Sequence, residues 1–192
     1  MLAALALAGC SSSRGGSVTF TAADSGRQLT QSFGHAYIAQ VGEGEYEVLL
    51  VDSAAEWDYK LPKAKRNRPI DPVALAPVRQ AMRIHMFWRP LKMISKNPAA
   101  INASIDWYIL GADGAADLLT YEGAAYVSID GSGDQRTIRI RDGQIKPAQA
   151  HGQLQDPIGP ASITGKATAI LNNARVKETL AELREHANIA AK

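Results

Sequence analysis

Residues 78–88 read VRQAMRIHMFW and residues 102–110 read NASIDWYIL. In both stretches apolar residues recur at every second position, which is the period of a strand with one buried face. The apolar sets are Val78, Met82, Ile84, Met86 and Trp88 in the first stretch, and Ala103, Ile105, Trp107 and Ile109 in the second. We therefore expect two adjacent antiparallel strands, joined by a loop around Pro90 to Pro98, with Trp88 and Trp107 in the core.

The charged residues on the polar faces of these two strands can be interpreted in two ways. If the apolar sets share a face, the register places Asp106 opposite either His85 or Arg83. A carboxylate that orients an imidazole is half of a catalytic arrangement, so a hydrolase using His85 and Asp106 is one alternative. An ordinary cross-strand charge pair is the simpler interpretation. We nominate no catalytic residue and do not expect an enzyme.

The period-two pattern extends over most of the chain after Ser17. Gly42, Glu43 and Gly44 connect one hairpin, and a second hairpin forms if Ile129 pairs with Ile138 and Val127 with Ile140. Prolines at 62, 69, 72 and 77 exclude a central strand from the insertion at 53–77. The further strands are expected at residues 18–21, 35–41, 45–51, 118–121, 125–129, 136–141, 144–146 and 162–171.

The end of the chain changes to a helical period. Val176, Leu180, Leu183 and Ala187 form one apolar stripe, and Asn172 or Asn173 is a suitable N-cap for a helix from residue 174 to about 187. Such a helix should pack on the sheet. The sequence therefore predicts an all-β domain over residues 18–192, an antiparallel sandwich or partly open barrel of about eight to ten strands with one C-terminal helix.

Composition supports a single globular domain. The chain has 192 residues, of which 46% are hydrophobic, and a net charge of +2. These values exclude disordered and strongly basic nucleic-acid-binding classes, and no apolar run reaches the roughly 18 residues of a membrane span. The four histidines have no metal-ligand spacing, so we expect no metal and no cofactor.

The first ten residues, MLAALALAGC, combine an apolar stretch with the only cysteine of the chain. Leu7, Ala8, Gly9 and Cys10 resemble the signal of bacterial lipoproteins, in which a Leu and two small residues precede the cysteine. The resemblance implies that residues 1–9 are a signal peptide and that Cys10 carries the lipid. Secretory signals begin with a positive segment, whereas the first cation here is Arg14, so we expect the true start to lie upstream.

The expected location follows from this resemblance. Residues 10–17 are rich in serine and glycine, a composition typical of a flexible tether. Each buried methylene of an acyl chain contributes about 0.8 kcal/mol, so two or three chains anchor a protein permanently. We expect a protein of the bacterial cell envelope, lipid-anchored to a membrane. In the family's sorting pattern, the lack of Asp directly after Cys10 permits export to the outer membrane.

A basic stretch begins inside the insertion and extends past its end. Residues 60–96 hold ten Lys or Arg residues and one acid, giving a local charge of +9. Such a patch suits contact with anionic lipid, an acidic envelope polymer or an acidic protein, although a solvated loop has the same composition. We expect no nucleic acid, because an exported protein rarely meets it and interleaved aromatic residues are missing. The candidate contact residues are Lys60, Lys63, Lys65, Arg66 and Arg68.

These observations predict a membrane-anchored envelope lipoprotein that acts as a binding or assembly module. The alternative is a carrier that holds a small apolar ligand or lipid within a β-barrel. A closed barrel with an empty apolar cavity would favour the carrier, and a filled sandwich core would favour the binding module.

Overall fold

The computed structural model describes residues 15–52, 79–89, 101–111 and 117–190. These residues form nine strands and a C-terminal helix, as the period-two pattern and the final helical stripe predict. The elements are β1 (Gly16–Ala22), β2 (Gln28–Phe33), β3 (His35–Gly42), β4 (Glu45–Val51), β5 (Arg79–Met86), β6 (Ala103–Leu110), β7 (Leu118–Asp130), β8 (Gln135–His151), β9 (Ala161–Leu171) and α1 (Asn173–Ala190).

The sheet closes into a barrel because one strand joins its two ends. Strands β3 to β8 pair antiparallel in chain order. Strand β9 pairs antiparallel with β8 on one edge, and its other edge pairs parallel with β3 through Tyr37 and Ile170. The ring of hydrogen-bonded strands therefore returns to its starting point. Of the two architectures left open by the sequence, the structure has the barrel.

The hairpin of β1 and β2 completes the wall at one end of this barrel. Strand β1 pairs with the first half of β9, and β2 lies outside β1. Strand β4 ends at Val51, which pairs with Ala81, so the first residues of β5 extend past β4. There the side chain of Gln80 bonds that of Gln31 in β2. At this seam the described residues of β2 and β5 are joined by side chains and not by a backbone ladder.

Apolar side chains fill the inner face of the barrel. Phe20, Trp107 and Tyr121 form a stack, with ring centroids 4.2 and 4.9 Å apart, and all three are completely buried. Burial of such side chains supplies the main stabilisation of a domain of this size. The aliphatic residues of the same cluster surround the stack, from Val18 on β1 to Ala169 on β9.

The helix covers part of the outer face. The side-chain oxygen of Asn172 accepts a hydrogen bond of 3.0 Å from the backbone N–H of Arg175, which is the expected N-cap. Val176 and Leu183 pack on Leu49 and its neighbours on β3 to β7, and they form a second apolar cluster. Among the described residues, no helix is both long and apolar enough to span a membrane.

The register matches the sequence expectations closely. Residues 79–86 and 103–110 are adjacent antiparallel strands, and Asp106 lies opposite Arg83 and not His85. The pairs Ile129 with Ile138 and Val127 with Ile140 are also confirmed. The loop expected around Pro90 to Pro98 lies outside the described residues.

Three expectations need correction. Strand β2 was not predicted, because Gln28–Phe33 carries only two apolar residues, Leu29 and Phe33. The short strands expected between residues 118 and 146 are parts of the two long strands β7 and β8. Trp88 is only half-buried because β5 ends at Met86, so this side chain lies beyond the inner face.

Candidate functional site

Two glutamines occupy inward-facing positions where the barrel wall is otherwise apolar. Gln80 lies opposite Ile109 across the β5–β6 ladder, and Gln31 lies opposite Val18 across the β1–β2 ladder. Ile109 and Val18 both belong to the inner core, and directly opposite residues of a ladder share one face of the sheet. Both amides therefore point into the barrel at its β2–β5 seam.

Hydrogen bonds fix the orientation of these two amides. The indole Nε1 of Trp107 donates to Oε1 of Gln80 over 3.2 Å, and Nε2 of Gln80 donates to Oε1 of Gln31 over 3.3 Å. An indole nitrogen can only donate, so the oxygen of Gln80 must face it. The relay runs from Trp107 through Gln80 to Gln31, and among the described residues the amide NH₂ of Gln31 is its last donor.

A cavity of about 600 Å³ opens at this point of the barrel. Its volume is in the range of small-molecule sites, and the mouths of β-barrels are among their usual places. The polar part of its lining consists of four glutamines: Gln31, Gln80, Gln153 and Gln155. The apolar part comes from Trp107, Ile109, Leu154 and Pro157.

The segment between β8 and β9 forms one side of the cavity, and Asp156 holds it in place. A carboxylate oxygen of Asp156 accepts hydrogen bonds from the backbone N–H of Ile158 at 3.0 Å and of Gly159 at 2.7 Å. The same oxygen accepts a short hydrogen bond from the hydroxyl of Tyr121. These contacts attach the segment to the aromatic stack inside the barrel.

The pKa values of Asp156 and Tyr121 move in opposite directions. Burial raises the pKa of Asp156, but the hydrogen bonds from Tyr121 and the two backbone amides outweigh it and leave the pKa below its ordinary value. Burial, together with the bond to this carboxylate, raises the pKa of Tyr121 well above the usual range. At neutral pH the pair is therefore an ionised carboxylate and a neutral phenol.

The insertion between β4 and β5 leaves and rejoins the barrel beside the same cavity. Asp52, the residue after β4, accepts a hydrogen bond of 3.0 Å from the backbone N–H of Gln80, and its own N–H donates to the Gln80 carbonyl. Burial raises the pKa of Asp52, and this effect is only partly offset by that hydrogen bond and by Arg79. Residues 53–78 themselves lie outside the described residues.

A second polar cluster lies on the outer face of β4, β5 and β6. Arg83 binds Glu47 through two hydrogen bonds and Asp106 through one of 3.1 Å. The Nδ1 atom of His85 lies 2.9 Å from Oε1 of Glu47. Asp106 thus contacts Arg83, while His85 faces Glu47. The pairing of His85 with Asp106 on which the hydrolase alternative depends is not the arrangement of this cluster.

The residues singled out from the sequence as attachment or contact sites are not among those described by the structure. Cys10 and the cations Lys60, Lys63, Lys65, Arg66 and Arg68 all lie outside the described ranges. Sequence reasoning missed Gln31 and Gln80. The available signal was at Gln80, because this position is the polar exception in the apolar alternation from Val78 to Trp88. Within the described ranges, His, Cys, Asp and Glu residues form no group of three able to hold a metal ion.

Comparison with known proteins identified no relative of this chain. No protein-family model matches the chain, and no curated protein or solved structure shows significant similarity to it.

Proposed function

We propose that the chain is a membrane-anchored envelope lipoprotein whose barrel acts as a binding module. The observation that carries the binding role is the cavity of about 600 Å³ at the mouth of the barrel, lined by amides that project from inward-facing positions. Inward-facing polar side chains cost stability unless they are satisfied by partners, so their presence at a mouth is typical of a ligand site. The anchoring role rests on residues Leu7 to Cys10.

The alternative role as a carrier of an apolar ligand is less well supported. Behind the mouth, Phe20, Trp107 and Tyr121 are stacked and completely buried, so side chains occupy the interior that such a ligand would need. The remaining cavity is half lined by glutamines, whose amides lose hydrogen bonds to water when an apolar ligand covers them. Both features favour a ligand with polar groups.

The direction of β1 is compatible with an anchored barrel that leaves its mouth accessible. The carbonyl of Gly15 bonds the N–H of Thr168, and from there β1 runs to Ala22, beside Ala161 at the start of β9. The turn after β1 lies next to the segment that lines the cavity, since Arg27 donates to the carbonyl of Pro157. The residues before Gly15 therefore join β1 at the end opposite to this turn.

The basic stretch supplies a second proposed contact. Lys60, Lys63, Lys65, Arg66 and Arg68 belong to the insertion whose flanks, Asp52 and Arg79, adjoin Gln80. Each cation near an anionic membrane surface contributes roughly 1 kcal/mol, so five of them suit anionic lipid, an acidic envelope polymer or an acidic protein.

Detergent phase partitioning tests the anchor. The chain, expressed in a bacterium with its native N-terminus, should enter the detergent phase, and Cys10→Ala should move it to the aqueous phase or leave it uncleaved. Ser12→Ala is the matched control and should behave like the parent. Equal partitioning of the parent and Cys10→Ala would refute the lipoprotein assignment.

Nuclear magnetic resonance tests the binding role without assuming a ligand. On addition of the low-molecular-mass fraction of an envelope extract, the indole N–H signal of Trp107 should move, because this group bonds Gln80 at the cavity wall. The signal of Trp88, which follows the far end of β5, should stay in place. An unchanged Trp107 signal would contradict the mouth as the binding site.

A further inference from the structure

We propose that the mouth of the barrel binds a neutral saccharide. This inference rests on the proposed binding function and names the chemical class of its ligand. It is drawn from three properties of the cavity: the direction of its hydrogen-bond donors, the charge of its surroundings and the apolar part of its lining.

The donors are directed by the relay described above. Oε1 of Gln80 is used by Trp107 and Oε1 of Gln31 is used by Gln80, so neither oxygen is fully available to a ligand. Among the described residues, no hydrogen bond occupies the NH₂ group of Gln31 or the second N–H of Gln80. This wall of the cavity therefore donates hydrogen bonds and needs a ligand with several oxygen acceptors.

The charge of the described surroundings does not favour the anionic ligands that also offer oxygen acceptors. The described lining contains no Lys, Arg or His. The nearby guanidinium of Arg27 is bonded to the carbonyl of Pro157. Asp156, which lies between two lining residues in the chain, is ionised at neutral pH because its hydrogen bonds hold its pKa low. The charge of Arg27 also lowers the pKa of Asp156, so these described surroundings hold one cation and one anion and offer no net positive charge that would favour a phosphate or a carboxylate.

The apolar lining distinguishes a saccharide from other neutral polar molecules. Ile109, Leu154 and Pro157 face the cavity next to the glutamines. A sugar ring presents hydroxyl oxygens around its edge and C–H groups on its faces, so it can use the amides and the apolar wall at the same time. The hydroxyls also both donate and accept, which matches the exposed amides of Gln153 and Gln155.

Titration with defined sugars tests this inference. The full-length protein is purified from membranes in a zwitterionic detergent without a sugar headgroup, and the probes are cellobiose, maltose and diacetylchitobiose. Inorganic phosphate and acetate are the anionic probes. Binding is measured by calorimetry, and its location is measured by the Trp107 indole signal.

Two variants separate a role in binding from a role in folding. Gln31→Glu keeps the oxygen that accepts from Gln80 and replaces the donor NH₂ by an acceptor. Gln80→Glu keeps the oxygen that accepts from Trp107 and removes the donors, and it serves if the first variant does not fold. Gln144→Glu, an exposed residue on the outside of β8, makes the same chemical change away from the cavity.

We expect at least one sugar to bind the parent and Gln144→Glu equally, to move the Trp107 signal, and to bind the cavity variant about tenfold more weakly. Absence of binding by every sugar, equal binding by the cavity variant, or tighter binding of phosphate or acetate would overturn the inference. If no sugar binds while the envelope extract still moves the Trp107 signal, the binding function stands and only the saccharide class is wrong.

Discussion

The guanidinium of Arg83 holds the carboxylate of Glu47 by two hydrogen bonds of 3.1 and 2.7 Å across the outer face of β4 and β5. Glu47 is only 7% exposed, so most of the hydration of its charge is replaced by Arg83 and by His85, whose Nδ1 lies 2.9 Å from the same carboxylate. The hydrogen bond to Glu47 is also the main reason why the pKa of Arg83 is raised above its ordinary value.

Removal of that partner should destabilise the barrel. Arg83→Met leaves Glu47 and Asp106 without their cation, and we expect the free energy of unfolding to fall by about 2 kcal/mol. Urea denaturation measures this change. Adding Glu47→Gln to Arg83→Met should recover part of the loss, because the remaining buried group is then neutral. If the double variant is less stable than Arg83→Met alone, the unpaired charge is not the cause of the loss.

Asn102 should be one of the most sensitive polar positions. Its side chain is completely buried, donates to the carbonyls of Trp88 at 3.1 Å and Val127 at 2.9 Å, and accepts from the N–H of Val127 at 2.7 Å. Asn102→Leu leaves these backbone groups unpaired and should lower the free energy of unfolding by about 3 kcal/mol. Ser104→Ala, at a half-buried position of β6 two residues further along the chain, is the control. Comparable unfolding curves for the two variants would contradict the importance of this bridge.

The buried carboxyl of Asp52 should make stability depend on pH in a defined direction. Folding raises its pKa, so the ionised form costs stability at pH values above the folded pKa, and this cost is absent below the unfolded value near 3.8. Asp52→Asn keeps an oxygen for the N–H of Gln80 and removes the charge. We expect a higher Tm than the parent at pH 7 and an equal Tm at about pH 3, measured by calorimetry.

The exposed Asp24, in the turn between β1 and β2, provides the matched control for that experiment. Asp24→Asn should not reproduce the change. A lower Tm of Asp52→Asn at pH 7 would show that the carboxylate is stabilising, which is opposite to the expected sign.

If the basic stretch contacts a membrane, binding of the protein to anionic vesicles should depend on the salt concentration. In the full chain with Cys10→Ala, binding to vesicles rich in anionic lipid should fall steeply between about 50 and 200 mM salt, since exposed charges are screened over roughly 10 Å at 0.1 M. Replacement of Lys63, Lys65, Arg66 and Arg68 by Ser should abolish this binding, measured by vesicle sedimentation, and leave the Tm almost unchanged.

A control with the same charge change takes its four cations from elsewhere in the chain. Arg141, Lys146, Lys166 and Lys177 are exposed residues of β8, β9 and α1. Their replacement by Ser should leave most of the binding intact. If both fourfold variants lose binding equally, net charge and not the basic stretch is responsible.

Sequence alone was sufficient for the strands whose inner face is continuously apolar. The alternation around Ile84 and Ile105 predicted both strands and limited their register to two choices, because a shift by one residue would have turned every apolar side chain outward. The structure shows which of the two is present, since Arg83 lies opposite Asp106. Asn172 and the stripe from Val176 to Leu183 gave the helix in the same way. In these elements the apolar residues that make the sequence pattern recognisable are the same residues that pack in the folded protein.

The candidate site was beyond such reasoning because it depends on a non-local neighbour. Gln31 and Gln80 are far apart in the sequence, and they meet only because β1 inserts beside β9 and directs β2 toward β5. No periodic pattern in the sequence predicts that β1 pairs with β9. The exception at Gln80 marked one half of the site, but the other half lies in β2, a strand too polar to be recognised.

The closing strand has a consequence for the order in which the protein can fold. β9 is the last strand, and it alone joins the hairpin β1–β2, the strand β3 and the strand β8. Until it is in place, β8 and β1 are open edges whose backbone groups can pair with other chains. Contacts between the two termini of a chain also form slowly, because a long loop must be closed first. A chain synthesised from its N-terminus therefore remains an unclosed sheet until β9, the last of the nine strands, is available to pair.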